Sequence, residues 1–373
     1  MTAPSRETKM SADPRAIRAQ CTRILSGHRQ KTGRQWFEAL AQSSFAELPP
    51  DTYGEGAAIH ALEHEVAGLL GKPAALFSPK GVITQQVALR LWTEQSGVAT
   101  VALHPKCHIA VDERDAIERL HHLPLTRLGN DFSPFTAADL DGAAEVLGAV
   151  TVELPLRRAG FKLTPWDELQ AISDWCRDRS VPFHLDGARL WESQPYYGKP
   201  LHEIAALADS VYVSLYKGLG GLAGCMLAGP EDFIKSARVW QARHGGFLPH
   251  AFPYVVSALE GLRHHLPLMP NYVARARSVA ASLAELDGVR IVPEPPQTNG
   301  FQIYLPAAPA ALEAAHLRLA ERERAWLFGR FAPTALPDMA MVEISVGDAL
   351  EDWTDSEITG AVGRLIDLAQ DGG

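Results

Sequence analysis

The sequence predicts an α/β fold built on a mainly parallel sheet, and three observations predict it. Short apolar runs such as AALFSP (74–79), AVTVEL (149–154) and VYVSL (211–215) alternate along the chain with stretches of helical periodicity. These runs are apolar throughout rather than at every second residue, the pattern of strands covered on both faces. The length of 373 residues, 46% hydrophobic and 21% charged, suits one large globular domain with a smaller one attached.

Taken in order, residues 1–15 are polar and read as a frayed end. Helices are expected over 14–26, 35–42 and 56–70, the last because Ile59, Leu62, Val66, Leu69 and Leu70 recur at helical spacing. Strand 74–79 then leads into a helix over 82–94, strand 98–105 and a helix over 108–120. Strand 149–154 precedes a clearly amphipathic helix over 164–180, and strands follow at 182–186, 211–215 and 225–229. A long helical region from 253 to 286 gives way to the strand-like VRIVP, FQIYLP and MVEISVG, with helices at 308–322 and 354–369. The expected domains are an N-terminal segment (1–50) that joins a small α+β domain (251–373), and a large domain (51–250) between them.

A nucleic-acid binder normally shows a basic face, and the net charge of −9 argues against one while leaving room for local positive pockets. Cys21, Cys107, Cys176 and Cys225 lie far apart without CxxC spacing, as expected of reduced thiols rather than a disulfide framework or a metal site. No apolar stretch approaches a bilayer span and the first residues lack an apolar signal core, so a cytoplasmic protein is expected.

Three segments carry chemistry. HLDGARL (184–190) sets Asp186 and Arg189 at the end of an apolar strand, where open α/β sheets gather ligands. A carboxylate there can keep a pyridine-type nitrogen protonated, and a guanidinium beside it offers a planar fork to a carboxylate. VYVSLYKGLGG (211–221) places Lys217 in a glycine-rich turn after another strand, a setting in which an amine can shed its proton and form an imine. Ser214 on that segment could hydrogen-bond a phosphate, as could the helix start at Gly81 and Val82 in SPKGVITQQ (78–86).

These motifs, in this order, resemble those of the threonine aldolases, within the group that includes the β-eliminating lyases. DTYGEG (51–56), SPKGVITQQ, the CHI segment with Glu113, HLDGARL and SLYKGLGG all stand where that family has its signatures. The resemblance implies the aminotransferase-like fold of type I, with a seven-stranded sheet in the large domain, and pyridoxal 5′-phosphate (PLP) as cofactor. It implies that Lys217 bonds the cofactor as a Schiff base, Asp186 pairs its ring nitrogen, His108 stacks on its ring and Arg189 binds the substrate carboxylate. The activity implied is retro-aldol cleavage of a β-hydroxy-α-amino acid such as threonine to glycine and an aldehyde, by a homodimer or homotetramer with shared active sites. Departures stand beside the matches. Val82 and Lys80 replace the phosphate-side Thr and Ser, Tyr216 replaces the Ser before the lysine, and ELPL (153–156) replaces E-N-T-H.

Other readings stay open. β-Elimination, racemisation and transaldol transfer use the same cofactor chemistry, and a non-catalytic PLP-binding relative would keep the same core. HALEH (60–64) matches the H-x-x-E-H zinc-hydrolase pattern, but it lies on an amphipathic helix and lacks an identifiable third ligand, so no metal is expected.

Overall fold

The computed structural model describes residues 13–371, so most of the segment expected to fray lies outside the described residues. Seven strands form the main sheet: β1 (Ala74–Ser78), β2 (Val101–Leu103), β3 (Leu125–Arg127), β4 (Ala149–Glu153), β5 (Phe183–Gly187), β6 (Ser210–Ser214) and β7 (Cys225–Gly229). Their spatial order is β1-β7-β6-β5-β4-β2-β3. All neighbours run parallel except β7, which is antiparallel to both β1 and β6. The expected sheet is therefore present. Strands β1, β4, β5, β6 and β7 are buried almost without a break, as their uninterrupted apolar sequences require.

Helices cover the sheet. In α1 (Ala57–Leu70), Ile59, Leu62, Val66 and Leu70 face inward, and Gly71 ends the helix at φ 60° in the left-handed region. In α2 (Gly81–Ser96), Val87, Leu89 and Trp92 enter the core, where Trp92 stacks on Phe233 at 4.2 Å between ring centroids.

Several elements depart from expectation for local reasons. The helix expected over 108–120 is broken into α3 (His108–Val111) and α4 (Ala116–His121), because Arg114 and Asp115 adopt φ of 55° and 57°. The helix expected over 14–26 stops at Gln20, and Arg23–Ile24 pairs instead as a short parallel strand with Ala325–Trp326. The long region from 253 divides into Phe252–His264, a 3₁₀ turn at Leu266–Leu268 and Met269–Ala284, with Pro267 at the break. Strand β3, only three residues long and just two of them uncharged, gave no sequence signal.

The chain forms two compact units, one of residues up to 29, 278–291 and 302–373, the other of 30–277 and 292–301. The divisions thus fall at 29 and 277, where the sequence suggested 50 and 250. The first unit joins the N-terminal segment to the C-terminal residues, through the pairing of Arg23–Ile24 with Ala325–Trp326. The whole main sheet belongs to the second.

Three buried histidines are held neutral. Burial pushes His184 down to about 3, and His121 and His316 down to about 4. His316 Nε2 accepts the N–H groups of Leu327 and Phe328, and His121 Nε2 donates to His244 Nε2 at 3.1 Å. An unfolded chain binds these protons near pH 6.5 while the folded one refuses them, so stability is full above that pH and falls as pH drops from about 6.5 toward 4. Denaturation midpoints measured across that window should fall steadily. His316→Gln, which keeps an acceptor but cannot charge, should flatten the slope, and an unchanged profile in this variant would contradict the assignment.

Candidate active site

The site forms where β4, β5 and β6 end. Register sets Glu153, Asp186 and Tyr212 side by side across these three strands. A cavity of about 140 Å³ opens beside them, walled by Lys80, Gly81 and Val82 at the start of α2, by His108 of α3, and by Asp186 and Tyr216. A larger cavity, about 540 Å³ between Trp36, Leu219 and Arg263, offers less chemistry, because its carboxylate Glu260 is already engaged by Ser43, Arg263 and His264.

Asp186 is 2% exposed and accepts the N–H of Ala188 at 3.1 Å. Burial raises its pKa, while Lys217, His108 and a hydrogen bond from Gln85 pull it back. Behind it runs a buried relay. Trp92 Nε1 donates to Ser210 Oγ (2.7 Å), Ser210 donates to His184 Nδ1 (2.7 Å), and His184 Nε2 donates to Gln85 Oε1 (2.8 Å). Because His184 is neutral, this donor order is fixed, and it leaves the amide nitrogen of Gln85 to face Asp186. Glu153 adds a second buried carboxyl, pushed up to about 7 by burial and by the charge of Asp186. It accepts the backbone N–H of His108 at 2.7 Å and that of Arg157 at 3.3 Å, which anchors the start of α3.

Lys217 lies three residues beyond β6. Burial, then the charge of Arg189, push its amine down to about 8, and Asp186, Glu153 and Glu192 oppose them. The His108 ring is half-exposed, and its Nδ1 meets Glu113 Oε1 at 3.0 Å. That hydrogen bond raises the histidine's pKa. Arg189 caps α5 (Leu190–Tyr197), with its guanidinium 5.4 Å from the centroid of the Phe161 ring. Helix α2 begins without a side-chain cap, so its first N–H groups can receive an anion. Gly81 is obligatory there, since a Cβ would lie 2.2 Å from the Tyr212 hydroxyl.

The structure gathers most of the sequence-derived residues. Gly81, Val82, His108 and Asp186 wall the cavity, and Lys217 and Arg189 act on it electrostatically. Ser214 is different. It is wholly buried at the end of β6 and does not line the cavity, whereas Tyr212 on the same strand does. Sequence reasoning missed Tyr212, Gln85 and Glu192. The stretch H-x-x-E-H serves the fold: Glu63 accepts the Phe77 N–H and pairs with Arg238, and His60 pairs with Glu55.

A buried acid thus stands at one strand end and a lysine of lowered pKa just past the next, with the acid and an uncapped helix start walling one cavity. The family model for β-eliminating lyases matches residues 38–307. This chain belongs to the β-eliminating lyase family. Several of its relatives are named as threonine aldolases. The low-specificity L-threonine aldolase 1 of Arabidopsis thaliana is 27% identical over 68% of this chain and 74% of its own. A solved structure of a candidate L-allo-threonine aldolase from Listeria monocytogenes EGD-E superposes with a TM-score of 0.89 at 34% identity, over 95% of this chain and 98% of that one. One from Exiguobacterium sp. 255-15, described as an aromatic amino acid β-eliminating lyase or threonine aldolase, gives 0.88 at 35% identity, over 95% and 99%. The fold is thus the type I fold of PLP-dependent enzymes, and the protein is a lyase of the threonine aldolase group.

Within this lyase, the hydrogen bond that His108 Nδ1 donates to Glu113 is the leading cause of the raised His108 pKa. Glu113→Gln should therefore lower the His108 titration midpoint, read by NMR of the imidazole protons. An unmoved midpoint would remove Glu113 as the partner.

Proposed function

We propose that this lyase uses PLP to cleave the Cα–Cβ bond of a β-hydroxy-α-amino acid such as threonine, releasing glycine and an aldehyde. The observation that carries the reading is a lysine whose pKa is lowered to about 8, just past one strand, interacting with a buried carboxyl that ends the neighbouring strand and walls the cavity. The residues present fit the cofactor. Asp186 sets a buried carboxyl in the cavity wall, suited to a protonated ring nitrogen, Gly81 keeps the helix start bare, and the N–H groups there suit a phosphate.

When bound, PLP supplies an electron sink for the pair left at Cα as a bond to that carbon breaks. The chain supplies the rest. Lys217, with its amine pushed down to about 8, is available unprotonated as the nucleophile and can hold or return a proton at Nζ. Asp186, steadied by Gln85 and Ala188, would hold the cofactor at its ring nitrogen and favour the protonated form there. His108, oriented by Glu113 through Nδ1 and by Glu153 through the backbone, would hold it by stacking. Arg189 offers its fork to the substrate carboxylate. In the net reaction the β-hydroxyl gives up its proton, its oxygen becomes the aldehyde carbonyl, and Cα gains a proton to become glycine.

Val82 brings no hydroxyl to the phosphate, and Tyr53, at φ 49°, presents an exposed ring. These features support a homodimer or homotetramer in which a second copy completes the site. The four free thiols, three of them buried, support a reducing, cytoplasmic setting. Among the described residues, no helix is long and apolar enough to cross a membrane.

The decisive assay offers a panel of β-hydroxy amino acids and follows glycine, aldehyde and keto acid together. Glycine with equimolar aldehyde is expected, and keto-acid release would identify β-elimination instead. Lys217→Ala should abolish turnover, and Asp186→Ala should lower kcat by at least ~10²-fold. Arg189→Ala should raise KM by about 10- to 100-fold, the worth of a charge-assisted hydrogen bond of ~1.5–3 kcal/mol. Wild-type-like kinetics in Asp186→Ala would defeat the electron-sink role.

A further inference from the structure

Helix α5 holds the lysine segment from both sides. Trp191 Nε1 donates to the carbonyl of Ser214 at 2.8 Å, three residues before Lys217. Glu192 Oε1 accepts the N–H of Gly218 at 2.9 Å, one residue after it. The fit is tight, since a Cβ at Gly218 would stand 2.5 Å from the Glu192 carboxyl and push it aside.

Glu192 itself is 1% exposed, and its Oε2 has no hydrogen-bond partner. Its Oε1 acts as an acceptor, the role an ionised carboxyl fills best. A buried carboxylate needs compensating charge, and two cations supply it: Arg189, one turn earlier on the same segment, and Lys217. Burial still raises the Glu192 pKa, and these two cations lower it. Neither the aldolase motifs nor the assigned chemistry uses this residue.

We propose that Glu192 is the positioning residue for Lys217, its buried carboxylate fixing the lysine loop through Gly218 and supplying the negative charge shared between Lys217 and Arg189. The inference rests on Lys217 being the cofactor lysine. Other charges act on that amine and are left in place by the test. They are Asp186 of β5, Glu153 of β4, Arg189 of α5, His108 of α3 and Cys225 of β7, with the Tyr216 ring 5.9 Å away. Removing the Glu192 charge alone should make the lysine nitrogen lose its proton at lower pH.

The experiment titrates the absorbance of the lysine-bound cofactor against pH in the PLP-loaded wild type, Glu192→Gln, Trp191→Phe and Lys217→Ala. Glu192→Gln should lower the midpoint by about one pH unit, a tenfold change in proton affinity, with cofactor stoichiometry retained. Trp191→Phe loosens the same loop without altering charge and should leave the midpoint in place. An unshifted Glu192→Gln, or an equal shift in Trp191→Phe, overturns the inference. If Glu192→Gln does not fold, Gly218→Ala, which displaces the carboxylate, decides by the same criterion. Persistence of the lysine-type absorbance in Lys217→Ala would instead sink the assignment of the lysine, and the inference with it.

Discussion

Burying the carboxylate of Asp186 is the constraint on which the rest of the site depends. An ionised group at 2% exposure costs several kcal/mol unless its surroundings replace water. The chain meets that cost in layers. The N–H of Ala188 and the amide of Gln85 bond the carboxylate directly, Lys217 and His108 offset its charge, and Glu153 beside it is driven toward its neutral form. The relay from Trp92 through Ser210 and His184 fixes which way Gln85 faces. Residues as distant in sequence as Trp92 and Ser210 thereby serve one carboxylate.

The fold was legible because its main signal is composition. A strand buried on both faces must be apolar throughout, and AALFS, AVTVE, FHLDG, SVYVS and CMLAG are nearly so. The places where reading failed are governed by backbone conformation or brevity. Arg114 and Asp115 take left-handed angles that nothing in their side chains demands, and β3 is too short to show a period. Domain limits were blurred for a related reason, since the helix running from Met269 to Ala284 crosses from one compact unit into the other without a change in composition.

In the site, residues borne on recognisable motifs were legible and those working through register were not. Asp186, Lys217 and His108 sit in segments whose spacing is informative by itself. Tyr212 matters because strand pairing sets it beside Asp186, and Gln85 because a helix crosses the sheet above that acid. Neither relation exists until the sheet is assembled. Ser214 shows the reverse relation: its residue type suits a phosphate, while its place at the end of β6 buries it and leaves it out of the cavity lining. Glu153 lies within a segment that departs from the family pattern, yet its own position keeps a carboxylate, and it is the one residue there that binds α3.

The reversal of direction between β6 and β7 has a mechanical consequence. The segment bearing Lys217 is slung between two strands hydrogen-bonded to each other, with Leu215 donating to the Gly224 carbonyl and Gly221 donating back to that of Leu215. Such an arch is pinned at both feet, so the freedom left to the amine is chiefly that of the lysine side chain itself.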